Sequence, residues 1–124
     1  MASLLDKDSS ISLVASARNL IDSESRMVGR LSFFPNTGGM RGTRVIKRCL
    51  VDQKNLIGEP SVVMFRRADA QRGFNGNYRQ LVDLEMWFHL LERGNFAYLD
   101  ESLSSFRVHP EQQTRMNTEE MVHI

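Results

Sequence analysis

Residues 80–99 read QLVDLEMWFHLLERGNFAYL, a helical pattern that leads directly into a short strand. Apolar residues recur at intervals of three and four, which predicts one helix over residues 80–93 with Gly94 as its C-terminal cap. Further apolar residues widen this face, so we expect the helix to be buried on nearly all sides. Residues 96–99 then predict a strand, and a helix followed by a strand is typical of mixed α/β packing.

The segments before and after this stretch predict a sheet with helices against it. Residues 11–21 carry the apolar run ISLVASA, which predicts a buried strand, and the polar residues 22–26 predict a hairpin to a second strand over residues 27–34. Residues 2–6 suit a short helix, and residues 35–42 (PNTGGMRG) a loop. A helix is expected over residues 43–51, with strands over residues 62–65 and 103–108. The main elements follow the order β-β-α-β-α-β-β, an α/β or α+β arrangement with one main sheet.

Size and charge narrow the classes of protein. The 124 residues suit a single domain over residues 1–124, ending in a polar tail over residues 115–124. Apolar residues make up 41% of the chain and charged residues 25%, which is ordinary for a globular protein and excludes a chain that is disordered as a whole. The formal net charge is +1 and the basic residues come in scattered pairs, so the charge balance offers no argument for a nucleic acid or an anionic membrane surface as partner.

Cysteine content and hydropathy point to a cytoplasmic chain. Cys49 is the single cysteine, so no intrachain disulfide can form and a reducing compartment is expected. No run approaches the roughly 18 apolar residues of a membrane helix. Residues 1–10 also lack the basic and then apolar order of a signal peptide. We therefore expect no membrane span.

Two acids, Asp83 and Glu85, stand on the predicted buried helix. A helix turns by about 100° per residue, so their side chains should point about 160° apart and should not share one small site. Asp83 shares its face with Trp87 and Leu90. A first-turn acid can simply stabilise the helix through its dipole and unpaired amides, and that structural role stays open for Asp83.

Four segments carry a resemblance to a known family. The first consists of ISLVASARNLID over residues 11–22 and MVGRLSFFP over residues 27–35. The others are NLIGEPSVVMFRR over residues 55–67, VDLEMW over residues 82–87 and FRVHP over residues 106–110. In this order and spacing they resemble the acceptor-binding, C-terminal half of inverting family 2 glycosyltransferases with the GT-A fold. The family's acidic motif usually begins Glu-Asp, and Val82 stands in the place of that Glu. The resemblance covers residues 4–114 and implies a partial GT-A-like sheet with flanking helices.

The resemblance implies a role for five residues. Asp83 matches the base that deprotonates the acceptor hydroxyl, and Glu59, Glu85 and Trp87 would line the acceptor site. His109 would contribute to a metal or diphosphate site, and the complete enzyme would use a divalent cation, Mn or Mg. Structural alternatives stay open for several of them: a loop acid for Glu59, a core residue for Trp87 and a strand-end histidine for His109.

The donor-binding half of the family has no counterpart that we recognise in this chain. The string Asp6-Lys7-Asp8 matches the form of the family's metal motif, but a strand begins three residues later, so we interpret it as a polar helix end. We therefore expect an acceptor-side fragment that binds no cofactor of its own and is inactive alone. The alternative is a non-catalytic, self-assembling module, because a half sheet exposes an edge and seven methionines suit an adaptable homo-oligomer interface.

Overall fold

The computed structural model describes residues 1–34, 36–76 and 82–108. Within these ranges the chain forms one mixed sheet with helices against it, so the predicted α/β class is confirmed. The helices are α1 (Ala2–Lys7), α2 (Gly42–Asp52) and α3 (Val82–Leu91), with short 3-10 turns at Pro60–Val62 and Arg67–Ala70. The strands are β1 (Ile11–Ile21), β2 (Met27–Leu31), β3 (Gly38–Met40), β4 (Val63–Met64) and β5 (Asn95–Arg107).

Strand β1 is the axis of the sheet. It pairs in parallel with β5 over its whole length, and β5 pairs antiparallel with β3. The other edge of β1 is shared by two antiparallel partners, β4 opposite Val14 and Ala15, and β2 opposite residues 18–21. The predicted hairpin between β1 and β2 is confirmed, with Asp22 accepting the backbone N–H groups of Glu24 and Arg26 in the turn.

Several predicted elements differ from the structure. The strand expected over residues 27–34 ends at Leu31, and the strand expected over residues 62–65 is the two-residue β4, which follows a 3-10 turn. The loop over residues 35–42 contains β3, whose two glycines gain a strand conformation by pairing with β5. The two separate strands predicted over residues 96–99 and 103–108 are one strand, β5. Ser16 of β1 lies opposite Leu99 and the next residue, Ala17, lies opposite Ser102, so bulges absorb the polar residues that had suggested a turn.

Both faces of β1 are covered. On one face, Leu13, Ala15 and Ala17 pack in the main core with side chains from α2, α3 and β5. On the other face, Val14 packs in a smaller cluster with Leu5 of α1. The main core includes Phe34, Val45, Cys49, Leu56, Ile57, Met86, Trp87, Leu90, Leu91, Phe96 and Tyr98.

Helix α3 is held closely at its C-terminal end. The Ser12 hydroxyl of β1 donates to the Leu90 carbonyl at 2.7 Å, and a Cβ on Gly94 would lie 2.6 Å from the Ser12 Cβ. No residue of α3 is exposed, but only Met86, Trp87, Leu90 and Leu91 are buried and the other six are half-buried, so the helix is less enclosed than predicted. None of the helices in the described ranges has the length and hydropathy needed to cross a membrane.

Candidate functional site

The loop that carries Glu59 has a defined backbone conformation. The Asn55 side chain accepts the N–H groups of Ile57 and Gly58, each at 3.0 Å, and donates to the Gly58 carbonyl at 3.2 Å. Gly58 has φ +119, and a Cβ there would lie 2.4 Å from Val62 Cγ2, so glycine is required on both counts. The 3-10 turn that begins at Pro60 follows, and the loop therefore presents Glu59 in a fixed place.

Trp87 connects this loop to α3. Its indole Nε1 donates to the Gly58 carbonyl at 2.8 Å, and the residue has 0% exposure. The rings of Phe65 and Phe74 lie against it at centroid distances of 5.7 and 5.9 Å. A ring without exposed surface cannot serve as a sugar platform, so the predicted direct acceptor contact of Trp87 is corrected to a core position that anchors the loop.

Glu59 forms an ion pair with Arg18 of β1. The Arg18 side chain is 10% exposed and that of Glu59 is 30% exposed, so the pair lies at the border between core and solvent. The guanidinium also lies 5.5 Å from the ring centroid of Phe33 and 6.0 Å from that of Phe106. Two aromatic side chains and one carboxylate thus surround a cation at the end of β1.

The pair is not fully satisfied by hydrogen bonds. Within the described part of the chain, neither Arg18 Nε nor Glu59 Oε1 has a hydrogen-bond partner, although both atoms are buried. Burial lowers the pKa of the Arg18 guanidinium, and the charge of Glu59 acts in the opposite direction. Glu59 therefore has a structural role as the counter-ion of Arg18, and its predicted acceptor contact stays a prediction.

Asp83 and Glu85 lie in different surroundings on α3. Glu85 accepts two hydrogen bonds from Arg72 Nη2, at 2.7 and 3.0 Å, which ties it to the segment after the second 3-10 turn. Asp83 is half-buried, and no ion pair or side-chain hydrogen bond to it occurs among the residues that the structure describes. Asp83 precedes Trp87 by one helical turn, so it shares the face of α3 that meets the Gly58 loop.

The FRVHP segment lies partly outside the described residues, and His109 is among those left out. Arg107 donates to the Asp22 carbonyl at 2.7 Å and to the Ser25 hydroxyl at 2.9 Å, so it braces the β1–β2 turn. Phe106 is 38% exposed and faces Arg18. The segment thus brings an exposed aromatic side chain to the Arg18–Glu59 pair.

The acid string near the N-terminus has a local structural role. Asp8 accepts the backbone N–H of Ser10 at 2.9 Å and the Ser10 hydroxyl at 2.6 Å, and these hydrogen bonds lower the pKa of the Asp8 carboxyl. Across residues 1–34, 36–76 and 82–108, no three His, Cys, Asp or Glu side chains gather as metal ligands. The Mn or Mg site that the resemblance implies for the complete enzyme stays a prediction.

Arg18, Phe33 and Phe106 were not predicted as site residues. A sequence signal for Arg18 exists, because an arginine that interrupts a buried apolar strand must find a partner. The identity of that partner cannot be predicted locally, since Glu59 follows 41 residues later.

The Arg18–Glu59 pair makes a prediction for stability. Glu59→Gln leaves the largely buried Arg18 charge without its counter-ion and should lower the free energy of unfolding by about 2 kcal/mol, less than for a fully buried pair because Glu59 is partly exposed. Adding Arg18→Met should recover part of that loss. Urea denaturation of the single and double variants measures the coupling.

The exposed pair of Glu24 and Arg26, 3.0 Å apart, is the matched control. Glu24→Gln should change the unfolding free energy by less than about 0.5 kcal/mol. Strictly additive effects of the Arg18 and Glu59 substitutions would show that the two residues are not coupled.

Comparison with known proteins returns little for this arrangement. No family model matches the chain, and no solved structure matches it. One similar protein is an uncharacterized protein of Mycobacterium tuberculosis (strain CDC 1551 / Oshkosh), which is 41% identical over 54 residues. That match covers 42% of this chain and 17% of the other protein, so the chain spans less than a fifth of the length of the relative it matches.

Proposed function

We propose that this chain is the acceptor side of an inverting, nucleotide-sugar-dependent glycosyltransferase of family 2, with Asp83 as the base. The observation that carries the proposal is the hydrogen bond from Trp87 to the Gly58 carbonyl, which joins the helix of Asp83 to the loop of Glu59. The two motifs of the resemblance that hold candidate acids thereby meet in space, although 24 positions separate residues 59 and 83.

The surroundings of Asp83 suit a base. The carboxylate is half-buried, and within the described chain no cation neutralises it. In the proposed reaction it takes the proton of an acceptor hydroxyl while that oxygen bonds to the anomeric carbon. The bond from this carbon to the nucleoside diphosphate breaks at the same time, so the configuration inverts. Glu59 and the exposed Phe106 would border the acceptor.

The donor and its cation belong to a donor-binding half in this proposal. The described residues offer no ligand set for Mn or Mg, so we assign no step to a metal held by this chain. The buried free thiol of Cys49 agrees with a cytoplasmic location, which is part of the same proposal.

A fusion experiment tests the proposal. The chain is joined behind the donor-binding half of an active family 2 transferase and incubated with that enzyme's nucleotide-sugar and a panel of mono- and oligosaccharides. Mass spectrometry detects the glycosylated product, and the coupling constant of its anomeric proton reports inversion. A fused protein that melts cooperatively and transfers no sugar to any acceptor would contradict the proposal.

Calorimetry on the chain alone tests the assignment to the acceptor side. We expect no micromolar binding of UDP-, dTDP- or GDP-sugars in the presence of manganese, because the donor site lies outside this half. Micromolar binding of any of them would show that the chain holds a donor site.

A second candidate function is self-assembly, and one surface favours it. Four apolar side chains are exposed at the end of the sheet where β2, β1 and the last part of β5 pair: Met27, Val28, Leu103 and Phe106. Strand β2 is an edge strand, so a second copy could pair with its backbone and cover the exposed side chains on one face of the sheet.

Light scattering measures this assembly. A dimer at high concentration that becomes a monomer on Val28→Lys would support the interface at β2. Lys7→Glu on α1, remote in the fold, should leave the mass unchanged. A monomer at all concentrations for the unmodified chain would contradict self-assembly.

A further inference from the structure

Helix α2 presents an outer face that combines cations with protruding apolar side chains. Val45 and Cys49 point into the core, and the opposite side of the helix is exposed. Val51 is 71% exposed and Leu50 is 62% exposed. Val51 has the largest exposed fraction among the large apolar residues that the structure describes, and Leu50 follows with the same value as Met27. Helical spacing places Arg44, Lys47 and Val51 on one line along the solvent side.

The cations around α2 form no ion pair with the part of the chain that the structure describes. Residues 41–54 contain five basic residues and one acid, Asp52, whereas the whole chain has a net charge of only +1. None of the five forms an ion pair in the described ranges, although five other arginines of the chain do. The unpaired group consists of Arg41, Arg44, Lys47, Arg48 and Lys54.

We propose that this face, defined by Arg44, Lys47, Leu50 and Val51, docks on the surface of an anionic lipid bilayer. Basic side chains near such a surface are attracted to acidic headgroups, and Leu and Val next to them can enter the boundary of the acyl region. The outer face is suited to both interactions at once, because Leu50 and Val51 follow the cations Arg44 and Lys47 in the next turn of the helix. The chain would therefore lie on the membrane rather than span it.

The same features disfavour other occupants. A second copy related by two-fold symmetry would bring two groups of unpaired cations into one interface, and like charges repel. Single-stranded nucleic acid is bound by exposed aromatic side chains that stack on bases, and this face has none. Leu50 and Val51 would also stay in water against a phosphate backbone.

Vesicle co-sedimentation of the intact chain tests the proposal. We expect binding to vesicles of phosphatidylcholine with about one third phosphatidylglycerol, and no binding to pure phosphatidylcholine. Raising the salt from about 0.1 to 0.5 M should weaken binding strongly, since it shortens the range of the attraction. Arg44→Gln with Lys47→Gln should lower the partition coefficient about 30-fold, and Leu50→Ser with Val51→Ser about 10-fold.

Two matched variants make the result specific. Arg67→Gln with Arg93→Gln removes the same charge from exposed positions elsewhere, and it should leave vesicle binding within about twofold. An equal loss in this control would mean that net charge alone governs binding, and would overturn the docking face. Three further outcomes would each overturn the proposal. They are equal binding to neutral vesicles, tight binding to heparin or RNA without vesicle binding, and a dimer that the α2 substitutions dissociate.

Discussion

Asp83→Asn is expected to reduce sugar transfer by the fused protein about 100- to 10,000-fold, the usual contribution of a positioned base. Asparagine keeps the size of the side chain and cannot accept the hydroxyl proton. Because Asp83 is half-buried without an ion-pair partner in the described chain, the change should leave folding intact. Steady-state kinetics should show a fall in kcat with little change in KM for the acceptor.

Glu92→Gln is the control for this substitution. Glu92 directly follows α3 and is exposed, so neutralising it should leave kcat within about twofold. If Asp83→Asn keeps the rate of the unmodified protein, Asp83 is not the base. If both substitutions lower kcat equally, the effect comes from the charge of the helix region and not from proton transfer.

Gly42→Ala is expected to destabilise the fold by about 3 kcal/mol or more, which is a large part of the stability of a small domain. Gly42 begins α2, and a Cβ there would lie 2.0 Å from the Leu91 carbonyl oxygen and 2.1 Å from that of Gly94. Both atoms belong to the backbone, so no side-chain rotation relieves the clash. The start of α2 would have to move away from the end of α3, opening the main core.

Thermal and urea unfolding measure this effect. Gly38→Ala is the matched control, because a Cβ on Gly38 meets nothing within 4 Å, and its unfolding free energy should change by less than about 1 kcal/mol. Gly42→Ala with the stability of the unmodified chain would contradict the close approach of α2 and α3.

The strongest local patterns predicted their elements well. The helix predicted over residues 80–93 is observed over residues 82–91, with residues 80 and 81 outside the described ranges, and the strand predicted over residues 11–21 has these bounds in the structure. Both are signalled by apolar residues within the segment itself. Strand β3 was missed because two of its three residues are glycine, and it exists only through pairing with β5. The predicted break in β5 was wrong because pairing with β1 carries the strand through polar residues.

The candidate site also combines a feature that follows from local spacing with others that depend on tertiary packing. That Asp83 and Trp87 share one helical face follows from their spacing alone. Three other features result from tertiary packing. Trp87 is enclosed and hydrogen-bonded to Gly58, Glu85 is held by Arg72, and Arg18 has Glu59 as its counter-ion. Each of these contacts joins residues 13 to 41 positions apart, so no local pattern could have identified the partners.

The distribution of charge shows most clearly which properties depend on the tertiary structure. The composition is that of a nearly neutral chain, and by itself it offers no electrostatic argument for an anionic surface as partner. Among the described residues, folding pairs five arginines with acids elsewhere and leaves the basic residues around α2 without ion pairs, near the exposed Leu50 and Val51. The amino-acid sequence thus established the class of fold, its two main elements and the candidate base Asp83. Only the tertiary structure decided which charges are neutralised, which aromatic side chains are enclosed and which helix face is exposed. These properties depend on contacts between distant segments, because burial and ion pairing arise only when the segments meet.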